Sequence, residues 1–315
     1  MPIHRTASGS RDGTRTLVAV LTAALAVGTP SAAGSVTGSV AGAREPICVS
    51  ESRPEAAKRL NERILRETDG REGTVAVGVS AYDGDLTCGL DPDAGFDAAS
   101  VGKVVVLGAL LRTAVDEGRE LTAEEERLAT DMITVSDNDA AGELYGRLGS
   151  ERVQRFLDLA GMDQTKLHPE NYVGLMRITA GDQLVLLGLL RTDNDVLGAD
   201  ERSYARGLMG DVVEDQRWGV SGGAPEGAEV YLKNGWLPHK GTDTWRVNSV
   251  GGFRGTPAGD YDLVVLTDDG PGMRYGVETI ESVAVGVHSA LAGGEGRTQR
   301  PRAWSPPPSD GSDRA

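Results

Sequence analysis

Between Asp97 and Arg112 the chain carries one charged side chain, Lys103, immediately ahead of the run Val104-Val105-Val106-Leu107-Gly108-Ala109-Leu110-Leu111. A stretch this apolar has to be buried, and its length suits a core helix. An ammonium among aliphatic neighbours is costly unless it is paired or gives up its proton. Any fold of this chain must therefore bury the helix and supply partners for an amine at its start. Ser100 stands three residues earlier, on the same helical face.

Two readings of Ser100-Val101-Gly102-Lys103 follow. Lys103 can be a base one turn from a serine nucleophile, since a desolvated lysine, unlike arginine, can become a neutral amine. Alternatively Ser100 only caps the helix and Lys103 snorkels to the surface. Lysine is scarce: of 32 basic residues only Lys58, Lys103, Lys166, Lys233 and Lys240 are lysines, so arginine carries the bulk positive charge.

With 39% hydrophobic residues in 315, the chain can build a substantial core. Its net charge of -15 repels phosphate backbones and anionic membranes, which argues against nucleic acid as a partner. Residues 1–33 have a basic start, a short apolar run from Leu17 to Val27 and small residues at Ser31-Ala32-Ala33. That is the pattern of a cleavable signal peptide, and the run is too short to span a bilayer. Glu45-Pro46-Ile47 ahead of Cys48 gives no lipidation signal. The expectation is an exported, soluble monomer with no membrane anchor. In an oxidising compartment Cys48 and Cys88 can form a bridge, closing a loop that removes roughly 4 kcal/mol of unfolded-state entropy; two free thiols are the alternative. Two cysteines and four scattered histidines show no ligand spacing, so neither a metal nor an organic cofactor is expected.

Periodicity predicts a helix over Pro54–Thr68, strands over Thr74–Tyr82 and Leu86–Leu90, and the helix after Ser100. A helix entry at Leu121-Thr122 with Glu125 follows, then helices over Asp139–Leu148, Ser150–Ala160, Thr179–Leu190 and Asp200–Met209. Strands return over Val230–Asn234, Thr244–Gly251 and Tyr261–Thr267, and Val277–Leu291 closes as a helix. Strands at both ends with helices between them predict an α+β fold. Its antiparallel sheet is built from the N- and C-terminal segments, packed by helices, with an inserted all-helical domain. The expected division is a signal peptide at 1–33, a disordered linker at 34–52, a sheet domain from 53–99 and 212–292, a helical domain at 100–211 and a disordered tail at 293–315.

Two further triads stand out. Ser136-Asp137-Asn138 follows the apolar Met132-Ile133-Thr134-Val135 and could simply cap the next helix. Lys233-Asn234-Gly235 closes the strand Val230-Tyr231-Leu232, expected at the centre of the sheet; its plainer reading is a turn with an exposed lysine. Ser-x-x-Lys, Ser-Asp-Asn and Lys-(Thr/Ser)-Gly in this order are the signature set of class A β-lactamases and penicillin-binding enzymes. The sequence resembles that superfamily over about residues 55–292.

The resemblance implies a serine hydrolase that opens a β-lactam or related cyclic amide through an acyl-serine intermediate. The alternative it leaves is a penicillin-binding peptidase (carboxypeptidase) acting on D-Ala-D-Ala cell-wall peptides, or an esterase-like serine hydrolase that deacylates β-lactams poorly. Carried over, Ser100 is the nucleophile and Lys103 its base. Ser136 relays the proton to the leaving nitrogen, and Asn138 positions Lys103 and the substrate amide. Lys233 holds the substrate carboxylate, and the backbone N–H groups of Ser100 and Trp236 form the oxyanion hole. Asn234 replaces the usual hydroxyl residue, beside Gly235. Trp236 stands where a small residue is usual and could narrow the cleft. Glu170, in His168-Pro169-Glu170-Asn171, is the candidate base for deacylation, in a loop that looks trimmed, with a solvated carboxylate as the plainer reading. Arg246 could assist Lys233 with the carboxylate, or be a surface arginine on a strand.

Overall fold

The computed structural model describes residues 45–293; the expected signal peptide, most of the expected linker and the tail beyond 293 lie outside the described residues. The linker expected through residue 52 ends earlier than that. Cys48–Ser50 is a strand, β1, held by a disulfide from Cys48 to Cys88 and by Ile47 N–H donating to Asn61 Oδ1 at 2.9 Å. These contacts override a composition that reads as tether.

Helix α1 (Pro54–Thr68) starts with proline, whose missing N–H has no partner to lose there, and buries Ala56, Ala57, Leu60 and Ile64. Strands β2 (Thr74–Ala81) and β3 (Leu86–Leu90) form the expected hairpin. The two-residue strand β4 (Phe96–Asp97) leads into a single 3-10 turn, Ala99–Val101, and then α2 (Gly102–Glu117), buried without interruption from Gly102 to Leu111. Helix α3 (Ala123–Thr134) opens with the capping box of Thr122 and Glu125, and α4 (Asn138–Ala160) breaks at Gly149, where φ is 72°. After β5 (Arg177–Ile178), which pairs with β4 and bridges Lys166 through Arg177, come α5 (Ala180–Arg191) and α6 (Ala199–Gly210). The chain ends with β6 (Glu229–Pro238), β7 (Trp245–Arg254), β8 (Tyr261–Gly270) and α7 (Met273–Leu291).

The six long-range strands form one antiparallel sheet in the order β1-β3-β2-β8-β7-β6, so first and last segments of the chain meet at the β2–β8 seam. Helix α7 lies on the face carrying Val247, where a β-carbon at Gly276 would fall 2.6 Å from Val247 Cγ2. Helix α5 covers the other face, with Leu184 against Gly78. The described residues belong to one compact unit, in which the sheet residues and the helices of 100–211 are joined.

Strand β6 is not central, as its apolar run suggested, but an edge strand. Seven consecutive residues, Tyr231 to Leu237, are buried all the same. The turn at Ala99–Val101 packs on one face of β6: a β-carbon at Gly235 would sit 2.6 Å from Ser100 N and 2.8 Å from Ala99 Cβ. Only glycine allows that approach. Lys233-Asn234-Gly235 likewise does not close the strand, which continues through Trp236 to Pro238.

Candidate active site

Four segments bring their polar side chains to one point. Ser100 comes from the turn before α2, Lys103 from the first turn of α2, Ser136 and Asn138 from the α3–α4 junction, and Lys233 from β6. Ser100, Lys103 and Lys233 have no exposed surface, and Ser136 is 7% exposed.

Lys103 Nζ is the hub. It lies 2.8 Å from Ser100 Oγ, 2.8 Å from Ser136 O, 3.1 Å from Ser136 Oγ and 2.6 Å from Asn138 Oδ1. Lys233 Nζ donates to the same Ser136 Oγ at 3.0 Å and to Asn234 O at 3.1 Å. The snorkelling alternative for Lys103 is thereby excluded: its amine is buried among oxygen partners. Burying it costs less because each acceptor offsets part of the lost hydration.

The middle triad divides its work. Asp137 caps α4, its side chain accepting from Ala140 N–H at 2.8 Å, as the plain capping reading expects. Ser136 adopts a left-handed φ of 62°, which turns it out of α3 before α4 begins. Asn138 opens α4 and reaches back to Lys103. The capping reading therefore accounts for Asp137 but not for the oxygens that its neighbours present to Lys103.

Strand alternation separates the residues of the third triad. Lys233 and Gly235 face the Ala99–Val101 turn, whereas Asn234 and Trp236 face the α7 side of the sheet. Asn234 Nδ2 donates to Gln216 O at 2.7 Å and Trp218 O at 2.9 Å, clamping the segment ahead of β6. Trp236 packs edge-on against Trp218, with ring centroids 5.7 Å apart, and is 4% exposed. Its bulk fills the core under β6 and does not narrow the cleft on the Ser100 side.

Arg246 is not a surface arginine: it is held by partners on neighbouring strands. Its Nε pairs with Asp97 Oδ2 at 2.7 Å, its Nη1 donates to Pro238 O, and its side chain is 14% exposed. Asp97 also takes Arg177 Nη1 at 2.9 Å. Its carboxylate therefore ties β4, β5 and β7 together directly upstream of Ser100.

Glu170 stands exposed on a turn whose backbone N–H donates to His168 Nδ1 at 3.2 Å. What the trimmed loop sets against α2 is Val173: a β-carbon at Gly102 would meet Val173 O at 2.7 Å and Val173 Cγ1 at 3.2 Å. Met176 O accepts from Ala98 N–H at 2.9 Å, so the loop also supports the Ala99–Val101 turn through its backbone. Sequence reasoning missed this buttress and the clamp on Gln216 and Trp218, because both act through main-chain groups that leave no residue-type signal.

A model described as the β-lactamase enzyme family matches residues 117–291. That match begins downstream of Ser100 and Lys103, whose assignment rests on the geometry. No curated protein sequence matches the chain. Among solved structures, a class A β-lactamase from Bacteroides cellulosilyticus DSM 14838 is similar at 17% identity and a TM-score of 0.66, over 75% of this chain and 98% of that one. A β-lactamase from Sphaerobacter thermophilus DSM 20745 is 22% identical with a TM-score of 0.61, over 75% and 97%. PBP-A is 21% identical with a TM-score of 0.63, over 74% and 96%. At these identities the likeness establishes a common fold.

Proposed function

The chain belongs to the β-lactamase enzyme family of serine hydrolases, and on that premise we propose that it opens a β-lactam or a related cyclic amide through an ester on Ser100. The observation that carries the reading is the contact of Lys103 Nζ with both Ser100 Oγ at 2.8 Å and Ser136 Oγ at 3.1 Å. An amine in contact with both hydroxyls is placed to take the serine proton and pass it on.

The chemistry then follows. Ser100 Oγ adds to the amide carbonyl as its proton passes to Lys103. The N–H groups of Ser100, on the turn, and of Trp236, on β6, receive the developing oxyanion. Ser136, touching both amines, relays the proton to the leaving nitrogen, and the C–N bond breaks to give the ester. Lys233 supplies the positive field that holds a substrate carboxylate.

A second reading, a penicillin-binding peptidase that acylates but deacylates slowly, is favoured by one observation. The loop presents Val173 to α2 and leaves Glu170 exposed. One experiment separates the two. A chromogenic cephalosporin turned over many times per enzyme supports hydrolysis with Glu170 or another group activating water. One mole of stable adduct per mole of protein, located on Ser100 by mass spectrometry, supports the peptidase. Neither turnover nor adduct with the parent protein, or either one surviving in Ser100→Ala, overturns both. If turnover occurs and Glu170→Ala leaves it unchanged with no trapped ester, Glu170 has no part in deacylation. Export and a monomeric state belong to the same proposal; N-terminal sequencing of protein recovered from the medium, starting near residue 34, supports export.

A further inference from the structure

Asn248, in the middle of β7, has no exposed surface. It pairs in register with Gly235, on the sheet face that meets the nucleophile turn. Its Nδ2 donates to Asp97 O at 2.9 Å and to Ala98 O at 3.2 Å, and its Oδ1 accepts from Thr267 N–H at 3.2 Å. These partners fix the amide's orientation: rotated by half a turn, it would set oxygen against two carbonyls and N–H against N–H.

The two carbonyls belong to the residues immediately before Ala99, whose φ is 45°. That left-handed conformation is costly for a residue with a β-carbon and persists only where the surroundings impose it. Ser100 is the next residue. A relaxation at Ala99 would rotate the following peptide plane and carry Ser100 Oγ away from its 2.8 Å contact with Lys103 Nζ.

We propose that Asn248 is a positioning residue for the nucleophile: its side-chain amide holds the Asp97–Ala98 carbonyls so that Ala99 stays left-handed and Ser100 stays within reach of Lys103. The proposal rests on Ser100 being the nucleophile. It assigns Asn248 no contact with substrate. Asparagine is the residue that fits, because it provides two donors on one nitrogen and an acceptor on the other side of the same rigid plane. Aspartate has the shape but lacks the donors.

The test measures acylation of Ser100 in parent, Asn248→Asp, Ala99→Gly and the double variant. It uses a chromogenic cephalosporin, and separately a fluorophosphonate whose phosphorus the serine oxygen attacks with fluoride leaving. The expected result for Asn248→Asp is an acylation rate constant lowered about 10- to 100-fold, with affinity in the initial complex little changed. Adding Ala99→Gly should recover a substantial part of that loss, because glycine takes positive φ without a β-carbon penalty. A merely structural role predicts no such recovery. Unchanged acylation in Asn248→Asp, a loss confined to binding, or a double variant as slow as the single one overturns the proposal. Should Asn248→Asp fail to fold, Asn248→Ser, which keeps one donor, is read in the same way. If the parent reacts with the fluorophosphonate but not with the cephalosporin, the β-lactam reading falls, and the phosphonylation rates still decide the role of Asn248.

Discussion

His288, 1% exposed in α7, shows how a single titratable group couples this core to pH. Its Nδ1 accepts from the Tyr261 hydroxyl at 2.7 Å, and its Nε2 donates to Val220 O at 2.8 Å, which fixes a neutral tautomer. Burial pushes its pKa down to about 4, with the Val220 carbonyl opposing. The unfolded chain, with histidine near 6.5, binds the proton more readily, so stability present above that value is lost as pH falls towards 4. We predict a decline approaching roughly 3 kcal/mol from this residue, seen in denaturant midpoints between pH 7 and 4. His288→Gln should flatten that segment of the profile whatever it does to stability at pH 7. At this scale Ser100 and Lys103 stand out in the sequence by type, a lone charge heading an apolar run, whereas Ser136, Asn138 and Lys233 are singled out only by the resemblance of three motifs taken together. The sequence conceals that Arg246 is spoken for by Asp97, since a partner 149 residues away in the chain leaves no local trace.

Helices α2 and α4 cross where Gly108 meets Phe156, and a β-carbon at 108 would lie 2.3 Å from the ring. Gly108→Ala should therefore destabilise by about 1–3 kcal/mol through overpacking, measurable as a lower thermal midpoint. Gly235→Ala makes the contrasting case at strand β6. Its new methyl would collide with the backbone of Ser100, so slower acylation should outweigh any loss of stability. The bounds of α1 and β3 could be read from periodicity because each has one wet face. Strand β6 could not be placed, since an edge strand buried on both faces has the same apolar run as a central strand. The pair β4 and β5, two residues each, is too short for any period.

Across the molecule, two devices bind distant segments. The Cys48–Cys88 disulfide closes β1 onto β3, and replacing both cysteines by alanine should cost about 2–5 kcal/mol, read as a lowered denaturation midpoint that the parent approaches only under reducing conditions. Arg191 on α5 pairs with Asp262 on β8 at 2.8 Å, with side chains 6% and 0% exposed. Arg191→Ala should cost about 3–5 kcal/mol by stranding a buried carboxylate, whereas a matched apolar replacement of both should cost far less. Residues 100, 103, 136, 138 and 233 gather at one point, so any fragment that ends before Lys233 lacks part of the set. Covalent labelling by a serine-directed probe should accordingly lag behind the return of helical signal when the denatured protein is diluted. The label would serve as a stopwatch for the last event of refolding, when the C-terminal strands close over a turn made from the first third of the chain.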